Sequence, residues 1–385
     1  MRVCLAYDCL FPWTVGGEER HLRHLAEGLV AAGHDVTYLT RRQWPLDAPP
    51  QIPGVRVIAV SREEPLYDEA GRRRTAEALH YGLGVLRHLV RHRRAYDVVH
   101  AVSFPYFSLP AARVALAGAR VPVLVDWPEV WGAGYWREYL GAKGVVGVAV
   151  QRICAWLTPE AFVISRLHGD RLRGEGVRGP VTLIEPLTDP PAPHPATAPP
   201  APPTVLFVGR MIPEKRASLV PAAIALARER IPGLRGLIVG DGPELEAVRA
   251  AIAAHALEDV VEAPGFVDGD AVRRAFERAT CLLAPSSREG YGIVVLEAAA
   301  AATPAIVVRE PDNAMTERVE DGVNGLVAAS ADPAALADAI VAVHARGAAL
   351  RESTAAWAAR AAAERGARTT VEVVRARYRA RIDSR

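Results

Sequence analysis

One pattern constrains this chain more than any other. Short Val/Ile/Leu-rich runs alternate with amphipathic helical stretches, and the whole alternation occurs twice. In the first half VCLAYDCL is followed by a glycine pair and the helical pattern EERHLRHLAEGLVAAG. Strand-like DVTYLT, VRVIAV, YDVVHAV and VPVLVDW come next. The second half opens at TVLFVG, residues 204–209, and continues with a helix expected over about 216–230. It then supplies GLRGLIVGDG, VVEAPGF, CLLAPSS and PAIVV. Near-continuous apolar strands separated by helices indicate parallel sheets buried on both faces. The fold class is α/β, with two Rossmann-like domains whose strand ends face a central cleft.

The proline-rich stretch DPPAPHPATAPPAPP, 189–203, cannot donate to a ladder and reads as a semi-rigid linker. The expected organisation is an N-terminal domain over 1–188, the linker over 189–203 and a C-terminal domain over 204–365. A terminal helix, 366–385, is expected to pack back on the N-terminal domain. The length of 385 residues suits two domains. With 46 basic against 44 acidic side chains, the chain lacks the basic excess of a nucleic-acid binder. Cys4, Cys9, Cys154 and Cys281 form no CxxC pair, so reduced thiols in a cytoplasmic protein are expected. The N-terminus MRVCLAYDCL reads as a buried strand, and no uninterrupted apolar run of about 18 residues predicts a membrane span. Lys143 and Lys215 are the only lysines in an arginine-rich background, which singles them out for tasks that suit a compact point charge.

The most informative segment is CLLAPSSREGYGIVVLEAAAAATPAIVV, 281–308. A strand runs through the loop SSREGYG into a helix. Gly290 and Gly292 allow close backbone approach, and the first helical N–H groups, from Ile293 on, suit a diphosphate. Glu289 before the turn and Glu297 in the helix are acceptor-only groups suited to sugar or ribose hydroxyls. Taken alone, the same residues also describe an ordinary strand–helix turn with surface charge. DGD at 268–270 has metal-motif spacing, but a polar turn is the better reading because no further ligand clusters beside it.

The string from Glu289 through Gly290, Tyr291 and Gly292 to Glu297 resembles the Glu-seven-Glu signature of retaining glycosyltransferases of family 4, which have the GT-B fold. VGRMIPEKR, 208–216, is similar to that family's diphosphate motif, which implies phosphate contacts for Arg210 and Lys215. IVGDGPE, 238–244, and VEDGVNGLV, 319–327, match its later turns. APGFV, 263–267, matches the loop that reads the base, at Phe266 and Val267. FPWTVGGEERHLRHLAEGLVAAGHDV, 11–36, matches its glycine loop and first helix, with Gly16 and Gly17 facing the cleft.

The resemblance implies a retaining, hexosyltransferase-type enzyme that needs no metal or other cofactor. Its donor would be a nucleoside-diphosphate sugar, held by Gly16, Gly17, Arg210, Lys215, Phe266, Val267 and the run Glu289–Ile293 with Glu297. Arg210, Lys215 and Glu289 would serve the chemistry. The acceptor would be a small molecule, natural product, glycan or lipid-linked group. The alternatives are an epimerase or phosphorylase on the same fold, or a nucleotide-binding, non-catalytic partner subunit.

Departures concentrate in the N-terminal half. Pro128, in DWPEVW, stands where the family usually has a donor-facing His. His100, Asp126, Glu129 and Trp131 are the acceptor-site candidates, with a satisfied strand-end histidine as the plainer reading of His100. The aromatic stretch Trp127–Tyr139 reads as helix packing or as an acceptor platform. Ala302, where the family often has Gly, reads as a packing change. The basic cluster RHLVRHRR, 87–94, could attract an anionic membrane surface. A helix C-terminus that favours cations is the preferred explanation.

Overall fold

The computed structural model describes residues 1–66, 73–187, 201–364 and 367–384. Most of the stretch read as a linker, and the boundary at 365–366, lie outside them. The chain divides into two compact units, Met1–Thr188 with Gly366–Arg385, and Asp189–Arg365. The terminal helix is thus grouped with the first unit.

The first unit holds strands β1 (Arg2–Ala6), β2 (Asp35–Arg41), β3 (Val55–Ser61), β4 (Val98–Val102), β5 (Val123–Trp127), β6 (Ala161–Val163) and β7 (Val181–Leu183). All pair in parallel, in the order β3-β2-β1-β4-β5-β6-β7. Its helices are α1 (Gly17–Ala31), α2 (Thr75–His92), α3 (Ser108–Ala115), α4 (Ala133–Leu140), α5 (Gly144–Leu157) and α6 (Arg166–Gly174). Successive strand residues face opposite sides of a sheet. Accordingly Cys4, Ala6, Val99, Ala101, Val123 and Val125 enter one core with α2, α3 and α5. Val3, Leu5, Val98, Val102 and Leu124 enter the other, with α1 and the terminal helix.

The second unit begins with β8 (Thr204–Val208), followed by α7 (Val220–Arg228), β9 (Arg235–Val239), α8 (Leu245–Ala254), β10 (Val261–Gly265) and α9 (Gly269–Arg278). It continues with β11 (Cys281–Ala284), the short β12 (Arg288–Glu289), α10 (Ile293–Ala300), β13 (Ala305–Val308), β14 (Asp312–Asn313), β15 (Gly325–Ala328) and α11 (Pro333–Glu364). Its sheet is also parallel, in the order β10-β9-β8-β11-β13-β15. Here too two cores lie on the two sheet faces.

The terminal helix α12 (Ala367–Asp383) belongs to the first unit. Val371, Val374 and Tyr378 are buried against α1. Gly28 makes room: a Cβ there would stand 2.7 Å from Val371 Cγ2. Glu160, whose side chain is fully buried, accepts from Arg377 and Arg381 of the helix. Each large apolar side chain so buried contributes about 1.5–3 kcal/mol.

Two helical stretches, Ala133–Leu157 and Pro333–Glu364, are long and apolar enough to cross a bilayer, which the run-length criterion alone had not shown. A turn at Gly141–Lys143 interrupts the first and a kink at Gly347 the second. Each packs one side into its unit's core.

Candidate active site

In the second unit the loops after β8, β9 and β11 are tied together at the carboxyl ends of their strands. Met211 N donates to Asp241 O at 2.8 Å, and Gly240 N to Gly265 O at 3.0 Å. The glycines of IVGDGPE are sterically required, since a Cβ on Gly240 would lie 1.8 Å from Gly209 O. The turn at Pro213–Lys215 reaches the loop after β11 through Ser287 N, which donates to Glu214 O at 2.8 Å. Arg288 Nη2 lies 3.4 Å from Glu214 Oε1.

This stitching places Lys215 Nζ on Glu289 Oε2, and both side chains remain partly exposed. Arg216 next to it takes a left-handed φ of 51° and pairs with Glu310 at 2.6 Å. Glu289 sits on β12, which pairs with β14 in the register Glu289↔Asn313. Buried Asn313 holds that strand by donating to Ser286 O at 3.1 Å and Val308 O at 2.9 Å. Gly292 caps α10 with φ 94°, and a Cβ there would lie 2.6 Å from Met315. Tyr291 is buried beneath the Arg318 guanidinium, 4.5 Å from its ring centroid. Glu297 is half-buried on α10. The free N–H groups at the start of α10 and the Lys215–Glu289 pair therefore share one small region.

Arg210 is exposed, and its side chain bonds to no other described residue. Phe266, after Gly265, is 80% exposed, while neighbouring Val267 packs against the core. The DGD turn does other work: Asp268 caps α9 by accepting from Ala271 N at 2.7 Å, and Asp270 faces Arg273 at 3.4 Å. Ala302 is more than a packing change, since it holds φ 56° at the end of α10.

In the first unit Gly16 caps α1, and a Cβ there would meet the Glu19 carboxylate at 2.3 Å. Gly17 opens the helix. The acceptor candidates separate into two groups. His100 and Asp126 are buried, which agrees with the plainer reading of His100 as a satisfied strand-end histidine and moves Asp126 from the acceptor candidates into the core. The cause is strand parity. Register pairs His100 with Leu124 and Val102 with Asp126, which puts both side chains under α1 and α12. His100 Nε2 lies 2.9 Å from Asp126 Oδ1, and its Nδ1 is 2.5 Å from the Tyr378 hydroxyl. His21 Nε2 is 3.7 Å from Asp126 Oδ2, and its Nδ1 accepts from Leu187 N at 2.9 Å. Because that backbone N–H occupies Nδ1, the His21 proton is assigned to Nε2, facing the carboxylate.

Burial pushes Asp126 up, but His100 and then His21 outweigh it and hold the carboxyl well below its ordinary value. Beside them, Glu18 Oε1 is buried without a hydrogen-bond partner. Burial, opposed by His21 and reinforced by Asp126 and Glu19, raises Glu18 to about 8. Neither Glu18 nor His21 carried a sequence signal. Tyr378 comes from a helix some 280 positions away from His100, beyond the reach of any local pattern.

Glu129 and Trp131 stay partly exposed, with Trp131 Nε1 donating to Glu129 Oε2 at 2.8 Å. Trp131 is also an aromatic-cluster member, with ring centroids 4.8 Å from Tyr135 and from Trp136. Buried Gln151 organises the cluster, its Oε1 accepting from Tyr106, Trp131 N and Trp136 Nε1. Trp127 and Trp136 are core residues, and Pro128, which follows Trp127 in sequence, is half-buried.

With this geometry in hand, comparison with known proteins is decisive. Residues 193–361 match the family model "Glycosyl transferases group 1", and 16–186 match "Glycosyl transferase 4-like domain". The glycogen synthase of Mycobacterium tuberculosis is 30% identical over 351 residues, covering 86% of this chain and 82% of that one. The chain belongs to the family 4 glycosyltransferases. The D-inositol 3-phosphate glycosyltransferase of Acidothermus cellulolyticus is 29% identical over 360 residues, 84% of this chain and 77% of its own. Among solved structures, sucrose-phosphate synthase from Thermosynechococcus elongatus superposes with a TM-score of 0.79 at 21% identity, over the whole of both chains. The Anabaena protein HepE in complex with UDP-glucose gives 0.70 at 16% identity, again over both whole chains. The fold of this glycosyltransferase is GT-B.

Proposed function

We propose that this glycosyltransferase is of the hexosyltransferase type, retaining and metal-independent, and takes a nucleoside-diphosphate sugar as donor. The observation that carries the reading is the placement of Lys215 on Glu289 at the glycine-capped start of α10. There a cation, a carboxylate and unpaired helix N–H groups could serve one ligand that has both phosphates and hydroxyls. Lys215 and exposed Arg210 would neutralise the diphosphate as it departs, while Glu289 orients the sugar hydroxyls and Glu297 holds the ribose. Phe266 and Val267 would face the base. Among relatives of the same fold, HepE has been crystallised with UDP-glucose, which favours a uridine donor as the first to test.

Retention follows if the acceptor hydroxyl attacks the face from which the diphosphate leaves. The departing phosphate oxygen then takes the acceptor proton, the glycosidic bond to phosphate breaks and the bond to the acceptor oxygen forms. Metal independence is supported by the fixed cations and by the use of Asp268 as a helix cap and Asp270 as an arginine partner.

The test begins with a thermal-shift screen of UDP, GDP, ADP and TDP sugars, since a ligand that binds the native state raises the melting temperature. NMR of the product with the selected donor then reads the anomeric configuration. Retained configuration and full activity after EDTA treatment are expected. Inversion, or activity lost to EDTA and restored by Mg²⁺ or Mn²⁺, would refute the corresponding half of the proposal.

A further inference from the structure

The two units differ in what they show to solvent. Among the described residues the second exposes only two large apolar side chains, Leu226 and Phe266. The first exposes many, and most lie on one helical layer. Helix α2 presents Leu79, Leu83 and Val90, with half-buried Leu86 completing a stripe at i, i+4, i+7 and i+11. Helix α3 adds Val114, 67% exposed. Helix α5 presents Val145, Val146, Ile153 and Trp156, with exposed Ala149 in the same stripe.

These stripes are not needed for the core. Tyr81, Val85 and Leu89 of α2, Leu109 and Ala112 of α3, and Cys154 and Ala155 of α5 already fill it from the opposite side of each helix. The three helices are neighbours, with α3 packed against both α2 and α5, and Arg113 of α3 and Trp156 of α5 line one open depression of about 490 Å³. Exposed apolar stripes on neighbouring helices mark a partner or a membrane.

The charges choose between those occupants. The three helices expose no carboxylate, because Glu77, their one acidic residue, is buried. Arg87 and Arg91 flank the α2 stripe, Arg113 lies beside Val114, and Arg178 lies over the Trp156 ring at 4.7 Å. Apolar side chains, an interfacial tryptophan and unopposed arginines on one helical face suit a bilayer surface bearing anionic headgroups. We propose that the α2–α3–α5 face of the first unit docks on an anionic lipid membrane. The basic run at 87–94, taken from sequence as a helix-dipole effect, is one edge of that face.

Flotation of the full chain with phosphatidylcholine vesicles, with and without phosphatidylglycerol, tests this directly. Binding to the anionic vesicles, weakened by salt, is expected. Ile153→Glu with Trp156→Glu should lower the partition constant at least about tenfold, equivalent to 1.4 kcal/mol. Arg87→Ala and Arg91→Ala should each lower it about fivefold on anionic vesicles alone. Leu46→Glu, at an exposed site off this layer, should change nothing. Because all these positions are exposed, circular dichroism and melting temperature should match the parent. No flotation, or flotation insensitive to the α5 and arginine variants, would overturn the proposal. So would a dimer in analytical ultracentrifugation that the α5 variant abolishes, which would assign the face to a second copy of this chain.

Discussion

Asp126→Asn separates a structural from an acceptor-binding role for the buried network of the first unit. The carboxylate faces Nε2 of both His100 and His21. The Nδ1 atoms of these rings are taken by Tyr378 and Leu187 N. An asparagine can offer one oxygen to these protons, but its amide then turns donor against donor at the other ring. Losing one charge-assisted contact at a buried site costs about 1.5–3 kcal/mol, and stranding a buried partner raises the upper end to about 5. We take about 3 kcal/mol. For a cooperative unit of this size, 1 kcal/mol moves the midpoint by about 2–4 °C, so the melting temperature should fall by about 6–12 °C.

Differential scanning calorimetry of parent and variant from pH 3 to 8 measures the effect. Asp126 is held below its ordinary value, so its contribution is present above about pH 4 and is lost as pH falls below that. The two proteins should therefore differ most near neutrality and converge in acid. Donor affinity per folded molecule should be unchanged. An Asp126→Asn protein with the parent's melting temperature but a raised acceptor KM would refute this reasoning and return Asp126 to the acceptor site.

Other outcomes follow from the same geometry. Lys215→Ala should weaken donor binding and lower turnover by about 10²–10³, and Lys215→Arg should also be impaired although charge is kept, both read by initial rates. Glu297→Ala should act mainly on donor KM, because a ribose contact is similar in ground and transition states. Glu289→Ala should act mainly on kcat, and steady-state kinetics of the pair checks the split. Glu18 is raised to about 8, so its ionisation costs stability progressively as pH climbs from about 4 to 8. Glu18→Gln should then gain melting temperature over the parent at pH 8–9 and not at pH 4. Exposed Ala256 holds φ 51° just past α8, with Leu257 N bonded to Ile252 O at 3.1 Å. Ala256→Gly should stabilise by about 0.5–1 kcal/mol in urea titrations, since glycine's entropy cost offsets only part of the relieved strain.

The fold was legible because parallel sheets covered on both faces need apolar side chains at every strand position, and the chain writes those runs out plainly in both halves. The motif positions in the second unit were legible for a related reason. There the candidate residues Arg210, Lys215, Phe266 and Glu289 each lie in the loop that follows a strand, so local spacing becomes spatial proximity once the sheet forms. Lys215 and Glu289 are 74 positions apart, yet each is fixed by its own strand-end loop, and β8 and β11 are sheet neighbours.

The first unit did not yield in that way. Asp126 was an acceptor candidate, and His100 one beside its plainer reading as a satisfied strand-end histidine, because both are polar residues near strand ends, but what decides their surroundings is which face of the sheet they occupy. Alternation along β4 and β5 gives them a common face from sequence alone. What covers that face is α12, whose Tyr378 and arginines arrive from the far end of the chain and close over Asp126 and Glu160. A helix that returns after an entire second unit leaves no local trace of its docking site, so its return could be expected but not which polar residues it would cover. The outer stripes of α2 and α5 were hidden for a different reason. Their leucines and valines keep helical period and pass for core, and only the full set of inward contacts shows that a second apolar face has been left over.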